Sequence, residues 1–250
     1  MPSISGQKIL VIGGSSGIGA AVAKLAAVEG ISASIASSNA TRVENAINKI
    51  ESAVPNARIA GYTCDVNQDD VESRLEKLFT TVTSDGPLDH IIYTAGVFNI
   101  RPITDVTVEY LRSSIQFGFV APLIIAKLAP RFMNNSYTSS LIFTSGRIAE
   151  KPMKGATVVA GVATGLFGIT KTLALDLAPI RVNLVSPGTT DTEMQGSGEQ
   201  RAQRMSMAAK MSLLGKVGTP EEVGEAYIYL MKDSNNTGSC VSTSGGALLQ

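Results

Sequence analysis

In the stretch VIGGSSGIG, Gly13, Gly17 and Gly19 are spaced so that a backbone can close on a phosphate. Just before them the apolar run KILVI (8–12) reads as a strand, and just after them residues 17–29 follow a helical pattern. In that setting Gly13 permits a tight turn, Gly17 lets the main chain approach a pyrophosphate, and Gly19 allows close helix–strand packing. The start of the helix then offers unpaired N–H groups to negative charge, with Ser15, Ser16 and Ile18 on the same turn. The chemistry to expect is binding of a dinucleotide.

The next apolar run predicts which dinucleotide. A carboxylate at the end of the second strand would hold the ribose hydroxyls and repel a 2′-phosphate. Here the sequence reads IASSNATR, with no Asp or Glu between Ile35 and Arg42. Ser15, Ser38, Asn39 and Arg42 can all donate hydrogen bonds to a phosphate, and Arg42 adds charge. NADP(H) is therefore the expected cofactor; the competing reading of Arg42 is a solvated helix residue.

Stepping outward, runs at 8–12, 32–36, 58–64, 90–94, 140–144, 180–185 and 239–243 read as strands. Helical patterns at 17–29, 40–52, 67–82, 105–133, 157–177 and 220–232 lie between them. Strands that are apolar almost throughout are expected to be buried on both faces. The alternation predicts an α/β fold: a single Rossmann-like, doubly wound parallel sheet of about seven strands with helices on both faces, in one domain spanning 1–250. Segment 189–218 departs from this rhythm. Its glycines and its methionines (Met194, Met205, Met207, Met211) suit either a mobile substrate lid or a helical insertion packed on the body.

The chain has 250 residues, 44% of them hydrophobic, with 21 basic and 21 acidic side chains. That balance gives it no general electrostatic claim on nucleic acid or an anionic membrane. Cys64 and Cys240 are its two cysteines, and their spacing suggests neither a disulfide framework nor a metal site. MPSISGQKIL lacks the apolar core of a signal peptide, and no apolar run is read as long enough for a bilayer. A soluble cytoplasmic protein is expected.

The spacing G-x-x-x-G-x-G resembles the short-chain dehydrogenase/reductase family, and the resemblance continues along nearly the whole chain. CDV (64–66) is similar to the family's adenine-contacting pair, which implies roles for Asp65 and Val66. TAG (94–96), with Ala95 and Gly96, stands where the family has Asn-Ala-Gly. RVNLVSPGTTDT (181–192) is similar to the strand and turn that meet the nicotinamide, which implicates Pro187, Gly188, Thr190 and Thr192. STSGG (242–246) stands at the family's Asp-Gly-Gly, with Ser244 in place of Asp. Ile12 and Thr94 replace a polar Thr and Asn that tie neighbouring turns together, which implies apolar repacking there.

Members of the family use Asn, Ser, Tyr and a Lys four residues after the Tyr; the Tyr protonates the alkoxide left by hydride addition. With LFGITKTLALDLAPIRVN (166–183) setting the register, those positions fall on Gly118, Gly146, Val159 and Ala163. Gln116 and Ser145 are the nearest polar neighbours. IASSNATRVENA, VAPLIIAKLAPRFM and LALDLAPIRVNLVSPG are similar to a fungal secondary-metabolism branch that lacks this tetrad. It includes the bifunctional reductase/Diels–Alderases of malbrancheamide and paraherquamide biosynthesis. The branch implies NADP(H), an iminium-type intermediate, control of a cyclisation, and an Asp and a Trp at the positions of Met153 and Ala156.

Arg147 and Glu150, beside the expected nicotinamide pocket, are candidates to orient a substrate, with a surface ion pair as the alternative. His90 is expected to be structural, and Asp191 and Glu193 to cap a helix. The sequence is compatible with three functions: an NADPH-dependent reductase of unusual mechanism, a redox-silent cyclase or isomerase, and a non-catalytic binding protein. The expected partners are a hydrophobic small molecule and further copies of the chain, as a homo-dimer or homo-tetramer.

Overall fold

A computed structural model describes residues 2–250. Seven strands form one parallel sheet: β1 (Lys8–Ile12), β2 (Ser32–Ser37), β3 (Ile59–Thr63), β4 (His90–Tyr93), β5 (Ser140–Thr144), β6 (Arg181–Pro187) and β7 (Cys240–Thr243). Their order is β3-β2-β1-β4-β5-β6-β7. The chain reverses its direction of travel between β1 and β4, the switch point at which open α/β sheets bind ligands. The register brings Ile12 beside both Ala36 and Tyr93, so the carboxyl ends of the central strands share one edge.

Alternation along β1 shows why the strands read as unbroken apolar runs. Leu10 and Ile12 face one core with Leu75, Phe79, Ile125, Phe143 and Leu166. Ile9 and Val11 face the other with Val22, Ile35, Val185, Tyr227 and Leu230. Eight α-helices lie among the described residues: α1 (Gly17–Val28), α2 (Ala40–Ala53), α3 (Val71–Val82), α4 (Val108–Ile115), α5 (Ala121–Phe132), α6 (Thr157–Asp176), α7 (Gly198–Lys210) and α8 (Pro220–Lys232); all but α4 and α7 add residues to these two cores. Thr219 starts α8 with a capping box to Glu222, which satisfies two of the helix's first-turn donors.

The fold class is as expected from the sequence, but three local expectations change. Residues 105–133 do not form one helix: a π-turn, Gln116–Val120, separates α4 from α5. The 189–218 segment contains the regular helix α7, none of whose residues is buried. Two stretches do have the length and composition to cross a bilayer: Val108–Phe132, mean hydropathy 1.3, and Thr157–Asp176, mean hydropathy 1.6. Both lie against the body of the fold, α5 through Ile125, Ala126 and Leu128 and α6 through Leu166 and its packing on β6. Only 44% of the first apolar window and 17% of the second is buried, so α6 in particular leaves apolar surface uncovered.

Candidate active site

A cleft of about 760 Å³ runs along the carboxyl edge of the sheet. Gly13 has φ +94, and a Cβ there would lie 2.5 Å from the Ala95 nitrogen. The turns after β1 and β4 therefore touch, and only glycine fits between them. A Cβ at Gly19 would lie 2.3 Å from the Gly13 carbonyl oxygen, which is the close helix–strand approach expected from the spacing. Ser16 is the N-cap of α1, but its side chain makes no capping hydrogen bond. The first-turn N–H groups of α1 are thus uncapped by it on a glycine turn that lines the cleft, and this cradle fits a pyrophosphate.

The cleft brings together nearly all the residues singled out for the cofactor: Gly13, Ser15, Ser16, Gly17, Ile18, Gly19, Ser38, Arg42, Asp65, Val66, Ala95, Gly96, Pro187, Gly188, Thr190 and Thr192. Asn39 is the exception. Its side-chain oxygen accepts from the Arg42 amide at 2.9 Å as the N-cap of α2, so it shapes the wall without lining it. Arg42 itself is exposed and forms no ion pair among the described residues. Asp65 accepts from the Asn67 amide at 3.0 Å and from Gln68 at 2.6 Å, which fixes its carboxylate at the end of β3. Buried Cys64 lies beside it, its thiol pushed up to about 11 chiefly by desolvation and so held neutral.

Thr94 corrects the expectation of apolar repacking. Ile12 is buried in the core, but the Thr94 hydroxyl donates to the Ile12 carbonyl at 3.3 Å and its amide to the same oxygen at 2.8 Å. A polar tie between the two turns is kept, with one partner changed.

At the other end of the cleft lie Gly118, Ser145, Gly146, Arg147, Val159 and Ala163. The Ser145 hydroxyl donates to the Ala163 carbonyl at 2.9 Å, fastening β5 to α6. Gln116 is also engaged: its amide donates to the Val66 and Gln68 carbonyls at 3.0 and 3.1 Å, tying the π-turn to the β3–α3 loop. Tyr93 donates to the Phe117 carbonyl at 2.8 Å, and full burial pushes its phenol far above the usual range. Val159 and Ala163 present only hydrocarbon.

Glu150 does not line the cleft. It accepts from Ser186 at 3.1 Å and leaves Arg147 without an acidic partner, so neither a substrate-orienting role for Glu150 nor an Arg147 surface ion pair matches the geometry. Asp191 does not cap a helix; it pairs with Arg201 and ties α7 to the turn after β6. Glu193 opens a short 3₁₀ turn, Glu193–Gln195, and Ser197 is the N-cap of α7. His90 is buried, between Gln7 Oε1 at 2.9 Å and Ser140 Oγ at 2.8 Å, in keeping with a structural role. Met153 lines the cleft and Ala156 is buried at the start of α6.

Several lining residues were not singled out by sequence reasoning: Ser37, Val97, Phe98, Phe117, Lys151, Val162 and Arg204. Lys151 carried one usable signal, a second cation four residues after Arg147 in RIAEKPMKGAT.

A doubly wound parallel sheet with a glycine cradle at its switch point defines a dinucleotide-binding class of protein, and the family match is specific. The chain belongs to the SDR family: it matches the SDR-like Rossmann domain over residues 3–250. It is 52% identical over 253 residues to the short-chain dehydrogenase/reductase ATR9 of Stachybotrys chlorohalonatus, covering 100% of both chains. It is 36% identical to the short-chain dehydrogenase/reductase malC of Malbranchea aurantiaca, covering 99% of this chain and 96% of that one. The solved structure of the MalC reductase/Diels–Alderase superimposes with a TM-score of 0.94, covering 99% of this chain and 98% of that chain. A short-chain dehydrogenase from Burkholderia cenocepacia solved with NADP is 25% identical with a TM-score of 0.86, covering 98% and 99%. The chain is therefore an SDR enzyme related to those of fungal secondary metabolism.

Proposed function

We propose that the protein binds NADPH and reduces an already activated electrophile, an iminium-type or comparably activated carbon, and that it can direct a cyclisation of the same intermediate. The observation that carries this reading is the contrast between the two ends of one cleft. The cofactor end keeps its glycine cradle, Asp65 and a free Arg42, while Val159 and Ala163 present hydrocarbon at the other end.

Bound along the cradle, the nicotinamide supplies hydride. The chain's own residues bind, orient and exclude water. The α1 N-terminus and glycine turn hold the pyrophosphate, Ser15, Ser38 and Arg42 the 2′-phosphate, and Pro187, Gly188, Thr190 and Thr192 the nicotinamide end. Hydride addition to a carbonyl leaves an alkoxide that needs a proton, and general acid catalysis is worth roughly 10²–10⁴-fold. A cationic carbon becomes neutral on accepting hydride, so Gly118, Gly146, Val159 and Ala163 at the tetrad positions cost that reaction nothing. The apolar wall of α6, with 189–218 as a lid over it, positions a bulky substrate by contact rather than by proton transfer. The relationship to a reductase/Diels–Alderase supports the cyclisation arm.

The proposed assembly is a homo-dimer or homo-tetramer in the cytoplasm. Titration of the protein with NADPH, followed by nicotinamide fluorescence, tests the cofactor reading. Saturable binding, tighter than that of NADH, is expected; no saturable binding overturns it.

A further inference from the structure

The substrate half of the cleft contains two half-buried cations with no carboxylate partner, Arg147 and Lys151; a third lining cation, Arg204, is exposed and donates to the Gln200 carbonyl. The Lys151 amide donates to the Arg147 carbonyl at 2.8 Å, so the loop after β5 curls and sets the two residues on a single turn. Among the described residues neither forms an ion pair. Lys151 reaches only the Ala247 carbonyl, at 3.4 Å, the long limit of a hydrogen bond. The acid that lies between them in sequence, Glu150, turns away to Ser186. The acids that do line the cleft are elsewhere: Asp65 at the adenine end, and Glu193 beside Gly17. Charges withdrawn from water without a partner are costly, and a guanidinium beside an ammonium matches a planar anion.

The same cleft has an apolar rim. Phe98, Met153, Met194 and Met207 line it while remaining 49%, 49%, 55% and 64% exposed. We propose that Arg147 and Lys151 form an anion-binding corner, and that the substrate is a bulky apolar molecule carrying one anionic oxygen group of the carboxylate type. This deepens the reading above and rests on it for which end of the cleft is the substrate's. It narrows the electrophile to one that is neutral or zwitterionic overall, because a lone cation would meet two like charges.

The test uses a matched pair of flat apolar probes, 9-anthracenecarboxylate and 9-anthracenemethanol. Binding is measured by calorimetry on the protein saturated with NADP⁺. The carboxylate is expected to bind about tenfold more tightly, and Arg147→Met and Lys151→Met each to remove most of that preference without changing the alcohol's affinity. Thermal melts and NADP⁺ titrations of the same variants establish that they are folded. Equal affinities, no saturable carboxylate binding, or a preference that survives in the double variant would each overturn the proposal. A preference seen in the free protein and abolished by NADP⁺ would assign the corner to the cofactor and also overturn it. Failure of NADP⁺ itself to bind contradicts the cofactor reading instead, and a carboxylate preference that depends on Arg147 and Lys151 would remain measurable.

Discussion

Val162 occupies the space that any side chain at Gly118 would need: a Cβ there would fall 1.8 Å from Val162 Cγ1. The fit is reciprocal, since a Cβ at Gly165 would fall 2.2 Å from the Phe119 ring. The π-turn and α6 interlock at two glycines, one of which, Gly118, is where the sequence resemblance sets the family's Asn. The absence of a side chain at 118 is matched by packing.

Installing the missing side chain should therefore fail. Gly118→Asn forces overpacking, which typically costs about 1–3 kcal/mol, or roughly 2–12 °C in melting temperature for a chain of this size. Pairing it with Val162→Ala should recover most of that loss. Thermal unfolding of the single and double variants decides the matter; a single variant as stable as the parent contradicts the interlock.

Arg42 is exposed, forms no ion pair among the described residues and lines the cleft, as does Ser38. Arg42→Ala should weaken NADPH about tenfold, the loss of a charge-assisted phosphate contact, and leave NADH unchanged. Parallel titrations with the two cofactors check this, and an equal loss for both would show that Arg42 does not read the 2′-phosphate.

Glu193 stands close to the glycine turn, its Oε2 only 3.6 Å from where a Cβ at Gly17 would be. A carboxylate there opposes a pyrophosphate, so Glu193→Gln should tighten NADPH binding by about two- to fivefold at low salt and less at high salt. Weaker binding in the variant would mean that Glu193 supports the cofactor site.

Burial of His90 lowers its pKa to about 3, with the charge of Arg181 as a smaller cause. Between pH 3 and 6.5 the unfolded chain takes up a proton that the folded chain refuses. The neutral ring therefore stabilises the fold above about pH 6.5, and that stability is lost as pH falls toward 3. Urea unfolding at pH 7 and pH 5 should show a steeper loss for the parent than for His90→Gln. Identical slopes would place the acid sensitivity elsewhere.

Much of the fold could be read from the sequence because burial on both faces leaves unbroken apolar runs such as KILVI and SLIFT. The glycine turn was legible for a similar reason, since Gly13 and Gly19 meet contacts that no other residue could make. The π-turn was not legible: QFGFV is apolar and continues the pattern of its neighbours. Helix α7 hid behind its polarity, with no buried face to set a period. The importance of Lys151 depends on where Glu150 points, and the place of Asn39 outside the cleft lining depends on its Oδ1 capping α2. Such features depend on contacts between distant segments, which spacing alone does not carry.

In the proposed reaction the electrophile arrives activated and needs no proton. Single-turnover reduction with NADPH deuterated at the transferred position tests it, using N-carboxymethyl-3,4-dihydroisoquinolinium against the ring-matched ketone 1-tetralone, each with a protein-free control. Deuterium is expected at C1 of the iminium at a protein-dependent rate, with 1-tetralone slower by at least about 10²-fold. Comparable reduction of 1-tetralone, or no iminium deuteration above the protein-free control, would contradict it.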